Sequence, residues 1–428
     1  MKLFRTISSP LSECAAAFAL AAALLVGTTQ PATAADNWPQ FRGPTAQGHA
    51  DDADIPTTWS ETENVAWKTP IHGRGWSSPV VWGSQVWLTT ATQDGKQMFA
   101  VCVDRDSGKV LHDIKLFENE EPAEIHVLNS YASPTPCIED GRVFVHFGSY
   151  GTACLDTTSG KVLWERRDLP CNHYRGPGSS PMPCGDTILI HYDGYDFQYV
   201  VALDKETGKT VWKSDRDIDF GTDNGDFKKA YSTPLLVDEG GRRQLISPAS
   251  KAVVALDPQS GKELWKVRYQ EFSATARPVI GHGLVFVNTG FGKAEMWAIR
   301  PGGEGDVTDT HVVWRVARSV GSKPSAVLVG DNLYFVHDSG VATCLDAKTG
   351  KEVWTKRLPG QYSASLLSSK QYIYLFNQQG QTTVLAAGEK FESIATNTLD
   401  AGCMSSPAVA GNALFVRSET HLYRIEAR

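Results

Sequence analysis

The sequence predicts an all-β chain, an eight-bladed β-propeller of four-stranded antiparallel blades closed by its N-terminal segment. Three observations carry the prediction. A nine-residue phrase, D-x-x-[ST]-G-K-x-x-W, recurs as DTTSGKVLW (156–164), DKETGKTVW (204–212), DPQSGKELW (257–265) and DAKTGKEVW (346–354), with a degraded copy, DRDSGKVLH, at 104–112. Eight first-strand signatures follow one another along the chain: Ser77-Ser78-Pro79, Ser133-Pro134, Ser179-Ser180-Pro181, Ser232-Thr233-Pro234, Ala276-Arg277-Pro278, Lys323-Pro324-Ser325, Ser363-Ala364-Ser365 and Ser405-Ser406-Pro407. The last unit ends one strand short, and a strand-like segment around Trp67 stands free upstream. A repeat of this length is one supersecondary unit that cannot bury its apolar face alone.

Taken in order, the elements follow from local chemistry. Each phrase is an Asp-initiated turn closed by Gly-Lys between two apolar runs, which is a hairpin signal. The second unit shows the whole blade. SPTPCI (133–138) reads as a first strand, Asp140-Gly141 as a turn and RVFVHF as an alternating second strand. Ser149-Tyr150-Gly151 turns into TACLD, and the Gly160-Lys161 turn leads to VLWERR. Four strands in about 40 to 50 residues is the size of a propeller blade. Blade five replaces the tight third turn with a loop, Pro301 to Thr310, and resumes at HVVWRV; blade seven keeps only LAAGEKFES. Blade eight ends at LYRIEAR, so residues 64–68 are expected to supply its fourth strand. Closure of the ring leaves few sheet edges exposed.

The phrase resembles that of the PQQ-like β-propeller repeat family, over roughly Trp67 to the C-terminus. The opening Asn37-Trp-Pro-Gln-Phe-Arg-Gly-Pro44 also resembles the start of exported bacterial proteins of this type. The family includes quinoprotein alcohol dehydrogenases and the propeller lipoprotein of the outer-membrane assembly machine. The resemblance implies that the repeat tryptophans, Trp67, Trp164, Trp212, Trp265, Trp314 and Trp354, pack blade on blade, as large apolar rings do in cores.

Lys2 and Arg5 precede an apolar run from Ala15 to Val26, and Ala32-Thr33-Ala34 offers a cleavage site. Residues 1–34 therefore read as a signal peptide, 35–63 as an N-terminal extension and 64–428 as one propeller domain. The apolar run is short for a membrane span, so the mature chain is expected to be exported to the periplasm or outside the cell, not membrane-spanning, and monomeric. Net charge of −7 gives no overall field for nucleic acid. Cys102, Cys154 and Cys344 share one repeat position and read as small buried residues, as Ala202 and Ala255 do. Export permits disulfides; Cys171 is the candidate partner in any bridge, though sequence does not give connectivity.

The connections between blades carry the chemistry. Arg74, Trp76, Tyr131, Arg175, Lys229, Tyr231, Arg277 and Lys323 lie shortly before or within their first strands, on the face opposite the Gly-Lys turns. They are expected to line one mouth of the central channel and to bind a small anionic, ring-bearing or carbohydrate-like ligand, or an envelope protein. The competing reading is a solvated rim whose Arg and Tyr satisfy loop carbonyls. A polar residue ends most second strands: Thr89, His146, His191, Ser247, Asn288, His337 and Arg417. These are expected to hydrogen-bond neighbouring loops, with metal binding the alternative. Asp215, Asp217, Asp219, Asp223 and Asp226 approximate a calcium loop with its glycine one place late, and a solvated connection is the competing reading.

Two function classes compete. One is a non-catalytic binding scaffold of the cell envelope, the role the family's shorter propellers play. The other is a quinoprotein dehydrogenase, for which the resemblance implies pyrroloquinoline quinone (PQQ), adjacent cysteines, a carboxylate-held calcium and a catalytic Asp. The chain has no adjacent cysteines, and no nucleophile elbow, phosphate loop or HExxH motif offers other chemistry. No catalytic residue and no metal ligand is assigned, and the scaffold is the favoured reading.

Overall fold

In a computed structural model of the chain, residues 36–239 and 241–427 are described; the expected signal peptide lies outside them. They form eight antiparallel sheets arranged as propeller blades. Blade one comprises Val80–Trp82, Gln85–Ala91, Gln97–Asp104 and Val110–Glu118, and its successors repeat this up-and-down order. Val65–Pro70 pairs antiparallel with His421–Ile425 and completes blade eight, so the ring closes as the sequence predicts. The first-strand signature of blade two shifts by two residues: its innermost strand begins at Cys137, which makes Thr135-Pro136, not Ser133-Pro134, the equivalent of Ser78-Pro79. The long loop of blade five carries Gly305–Asp306, which pairs in parallel with Glu263–Arg268 and covers the outer edge of blade four.

The repeated phrase explains itself in contacts. Asp156 Oδ1 accepts from Ser159 N at 2.7 Å and from Ser159 Oγ at 2.6 Å, which fixes the turn before Gly160. Asp204 with Thr207 and Asp346 with Thr349 repeat this geometry. The tryptophan then docks on the turn of the next blade. Trp164 Nε1 donates to Lys205 O at 2.8 Å, Trp67 to Arg105 O at 3.0 Å, and Trp314 to Ala347 O at 3.0 Å. A Cβ on Gly208 would stand 2.6 Å from the Trp164 ring, so the indole requires glycine there as well as the turn does. Trp265 is the exception: blade five has no Gly-Lys turn to receive it, and it donates to Gln244 Oε1 of its own blade at 2.6 Å. Trp67 docks on blade one and seals the ring from the outside.

Buried apolar residues gather in packets between neighbouring blades. Val145 and Leu155 pack with Trp87 between blades one and two, and Trp265 and Val285 pack between blades four and five. The largest packet joins blades seven, eight and one with Trp38, Ile55 and Trp59 of the N-terminal segment. That segment, expected only as an extension, straps the end of the channel nearest the Asp-Gly turns. Trp38 pairs with Val81 of blade one, and Ile138 N of blade two donates to Pro39 O at 2.8 Å. Ile280 N of blade five donates to Gln47 Oε1 at 2.9 Å, Ala50 N to Ser368 O of blade seven at 2.8 Å, and Trp59 stacks on Tyr374. Gly43, at φ +81°, makes the turn beneath the Trp38 ring.

Candidate functional site

The strap turns the channel into a blind cavity of about 440 Å³, with Phe41 at its floor. Arg42 and Arg277 lie beneath, each only 2 % exposed. The Arg42 guanidinium donates to the carbonyls of Ser325, Ala326, Leu366 and Gln47. Arg277 donates to Pro234 O at 2.9 Å, to Phe41 O and to Gln40 Oε1 at 3.3 Å. Burial lowers the pKa of each to about 9, and for Arg277 the charge of Arg42 adds to it.

A belt of hydroxyls encircles the wall. At the position two residues before the innermost strand, Ser78 N donates to Thr135 Oγ1, Thr135 N to Ser180 Oγ, and Ser180 N to Thr233 Oγ1, at 2.9 to 3.0 Å. Arg277 N donates to Ser325 Oγ, Ser325 N to Ser365 Oγ, Ser365 N to Ser406 Oγ, and Ser406 N to Ser78 Oγ, at 2.9 to 3.1 Å. Blade five breaks the belt, because Arg277 occupies its position. Each link joins one blade to the next, so the belt fixes the radius of the channel.

The mouth carries aromatic and charged groups from the inter-blade connections. Of the eight sequence-predicted residues, Trp76, Arg175, Lys229, Tyr231 and Lys323 line the cavity. Arg175 is exposed and its guanidinium lies 4.5 Å from the centre of the Tyr174 ring. Lys229 is bound to the Asp226 carboxylate and faces the Tyr174 and Phe272 rings; desolvation lowers its pKa. Tyr231 donates to His173 O at 3.3 Å, and burial raises its phenol well above the usual value. Lys323 pairs with Asp338 at 3.7 Å, and the same carboxylate accepts from Ser322 Oγ at 2.6 Å.

The other three are placed elsewhere. Arg74 stands behind Trp76, 5.0 Å from its ring, and donates to Val127 O at 2.6 Å. Tyr131 is buried between blades one and two, where its hydroxyl donates to Ala123 O at 2.7 Å and its ring meets Tyr150. Arg277 points to the strap. Those side chains satisfy carbonyls, as the solvated-rim reading supposed for the whole set. Sequence reasoning passed over Phe41, Phe272 and Phe291, which also line the cavity, and Asp338, which together with Asp226 of the acidic run neutralises its lysines. The signal available was the hydroxyl that precedes the innermost strand in seven blades. His126, also on the wall, is held below its usual pKa by burial and by the nearby charges of Arg175 and Lys323.

The polar ring at the second-strand ends is tied to adjacent structure. His146 Nδ1 and Thr152 Oγ1 lie 2.8 Å apart, and His191 Nε2 and Ser247 Oγ 2.8 Å. Ser247 also accepts from Arg216, which forms a two-pronged pair with buried Asp193 at 2.9 and 2.7 Å. The acidic run is dispersed: Asp215 pairs with Lys213, Asp217 with Lys266, and Asp226 with Lys229. Among the described residues no three His, Cys, Asp or Glu side chains converge on one point. The seven cysteines there are all free thiols, so the bridge considered for Cys171 does not form; its sulfur faces His173 Nδ1 at 3.7 Å. No helix of the described residues is long and apolar enough to cross a membrane.

Proteins similar to this chain include members of two groups. The chain is 21% identical over 242 residues to the outer membrane protein assembly factor BamB of Shewanella oneidensis, covering 53% of this chain and 57% of that one. It is 29% identical over 196 residues to the 1-butanol dehydrogenase (quinone) of Thauera butanivorans, covering 38% of this chain and 27% of the enzyme. The crystal structure of BamB from Moraxella catarrhalis superposes with a TM-score of 0.60 at 12% identity, covering 84% of this chain and 99% of that one. The chain thus spans well under two thirds of the length of the curated relatives it matches. A family model described as outer membrane protein assembly factor BamB matches residues 52–198 and 196–428. With the docked tryptophans, the Asp-capped turns and the eight-bladed ring, the chain belongs to that family.

Proposed function

We propose that this protein is a non-catalytic binding scaffold of the bacterial cell envelope, which offers the blind mouth of its channel to an anionic, ring-bearing ligand or to an acidic segment of a partner protein. The observation that carries the reading is the state of the cavity's ionisable groups. Both lining carboxylates, Asp226 and Asp338, are committed to lysines, which leaves neither free to act as a base. Arg175 remains exposed beside aromatic faces and is available to a carboxylate or phosphate. Export rests on the N-terminal sequence, and the envelope setting on the assembly role printed in the relative's name.

The dehydrogenase reading has partial support. Trp76, Phe272 and the cations suit a planar polyanion such as PQQ. The donor set for its calcium is not matched: the two lining carboxylates are held by Lys229, Lys323 and Ser322, and no cysteine lines the cavity. Titration of the purified mature chain with the quinone, followed by absorbance and by dye-coupled alcohol oxidation, tests both readings. Binding without turnover upholds the scaffold; alcohol-dependent dye reduction would overturn it.

A further inference from the structure

The hydroxyl belt has a property that its structural role leaves unused. A serine or threonine hydroxyl has two lone pairs and one proton. In each of the seven belt residues the oxygen accepts the N–H of a neighbouring blade, and none donates its proton to any atom of the described residues. All seven line the cavity and none is more than 7 % exposed. A hydroxyl that accepts a hydrogen bond becomes a stronger donor. The channel is therefore ringed by seven polarised O–H groups with unspent protons.

A second, independent feature points the same way. Arg42 and Arg277 under the floor, and Arg417 in the wall between blades eight and one, are 2 % exposed and bond only to uncharged oxygen atoms. Arg42 Nε, moreover, is buried without a partner. A buried cation with no counter-charge is costly, and a nearby anion offsets that cost. Arg277 interrupts the belt itself, so the positive field enters the ring at one point.

We infer that the belt is an anion seat: a small anion, or the carboxylate or phosphate end of a larger ligand, sits on the channel axis within the hydroxyl ring above Phe41. The inference rests on the pocket reading for its larger ligand and deepens it. The acid end enters first, and the ring-bearing remainder lies between Trp76 and Phe272 at the mouth.

Crystals of the mature chain grown in bromide test the seat directly by anomalous scattering. One peak on the axis, within hydrogen-bond reach of several belt hydroxyls, is expected. In chloride-free buffer, benzoate should bind about tenfold or more tightly than benzyl alcohol, because a charged acceptor strengthens each bond. Ser365→Asp keeps an acceptor for Ser325 N, removes the proton donor and adds negative charge. It should abolish benzoate binding while the anion-free melting temperature holds. An axis without bromide and benzoate binding indifferent to Ser365→Asp would overturn the seat. If the variant does not fold, the bromide map of the unmodified chain still decides. An empty belt with Arg175-dependent benzoate binding would overturn the seat alone. A filled belt with no binding of benzoate or any acidic peptide would overturn the pocket reading alone.

Discussion

The two ends of the channel hold the same cation in opposite states. At the mouth Arg175 is exposed, stacked on Tyr174 and unbonded to any carboxylate. At the floor Arg42 and Arg277 are buried, and their guanidinium groups bond to the carbonyls of three blades and the strap, with only Arg42 Nε left unpartnered. Both kinds of arginine come from connecting segments that lie against the innermost strands. What separates them is depth. A guanidinium at the mouth keeps water as an alternative partner, whereas one at the floor must satisfy itself from backbone. The mouth guanidinium is thereby left free to contact a ligand, whereas those at the floor hold the ring together and reach the channel only through their charge.

The comparison breaks or sharpens under four changes, the first with the largest effect. Deleting the chain before Ile71 removes the strap and the closing strand together. The unfolding midpoint should fall by about 10 °C or more, or the chain should fail to fold; a melt like that of the intact chain would show that neither end needs closure. Arg42→Ala takes the guanidinium from four buried carbonyls, of which Ser325 O keeps the Leu366 N–H, and should cost roughly 3–5 kcal/mol in denaturant unfolding, against less than about 0.5 for Arg175→Ala. Equal costs would erase the distinction between floor and mouth.

Acid should act away from the channel, where the His146 and His173 rings pack against Tyr192 between blades two and three. Burial lowers His146 to a pKa of about 3 and His173 to about 4. The unfolded chain protonates these rings near pH 6.5, so between that pH and the folded values the unfolded state binds more protons. Stability should thus fall as pH drops below about 6.5, by up to roughly 1.4 kcal/mol per pH unit for each ring. His146→Asn should flatten the slope of urea midpoints measured from pH 7 to pH 4.5; an unchanged slope would remove this histidine from the account. The smallest effect belongs to the mouth itself. Arg175→Ala should weaken benzoate binding by only about 0.5–1 kcal/mol, because it acts on the seated carboxylate through its charge at the mouth, with no change in melting. If Arg277→Ala left melting intact, the floor arginines would not hold the ring together.

Much of the architecture is legible in the chain because each blade specifies itself locally. Asp156, Ser159 and Gly160 make their turn from contacts three and four residues apart, so the phrase repeats wherever the turn does. The polar second-strand ends follow the same rule: His191 and Ser247 bond across neighbouring blades because both sit at one register. Strand register in blade two is less legible, since Ser133-Pro134 and Thr135-Pro136 offer the same dipeptide chemistry two residues apart and the alternation of a strand is unchanged by such a shift.

The sequence by itself determined the number of blades, the strand that closes the ring and the docking tryptophans, since all three are written in a local pattern repeated at blade spacing. Only the tertiary structure decided which connection residues face the cavity. Tyr131 and Arg277 share residue type with Tyr231 and Arg175 and come from the same kind of connection between blades, but whether such a side chain meets water or backbone depends on what packs over it. The strap that buries Arg277 lies 236 residues away at Phe41. No periodic signal links residues so distant; only closure of the ring brings them together.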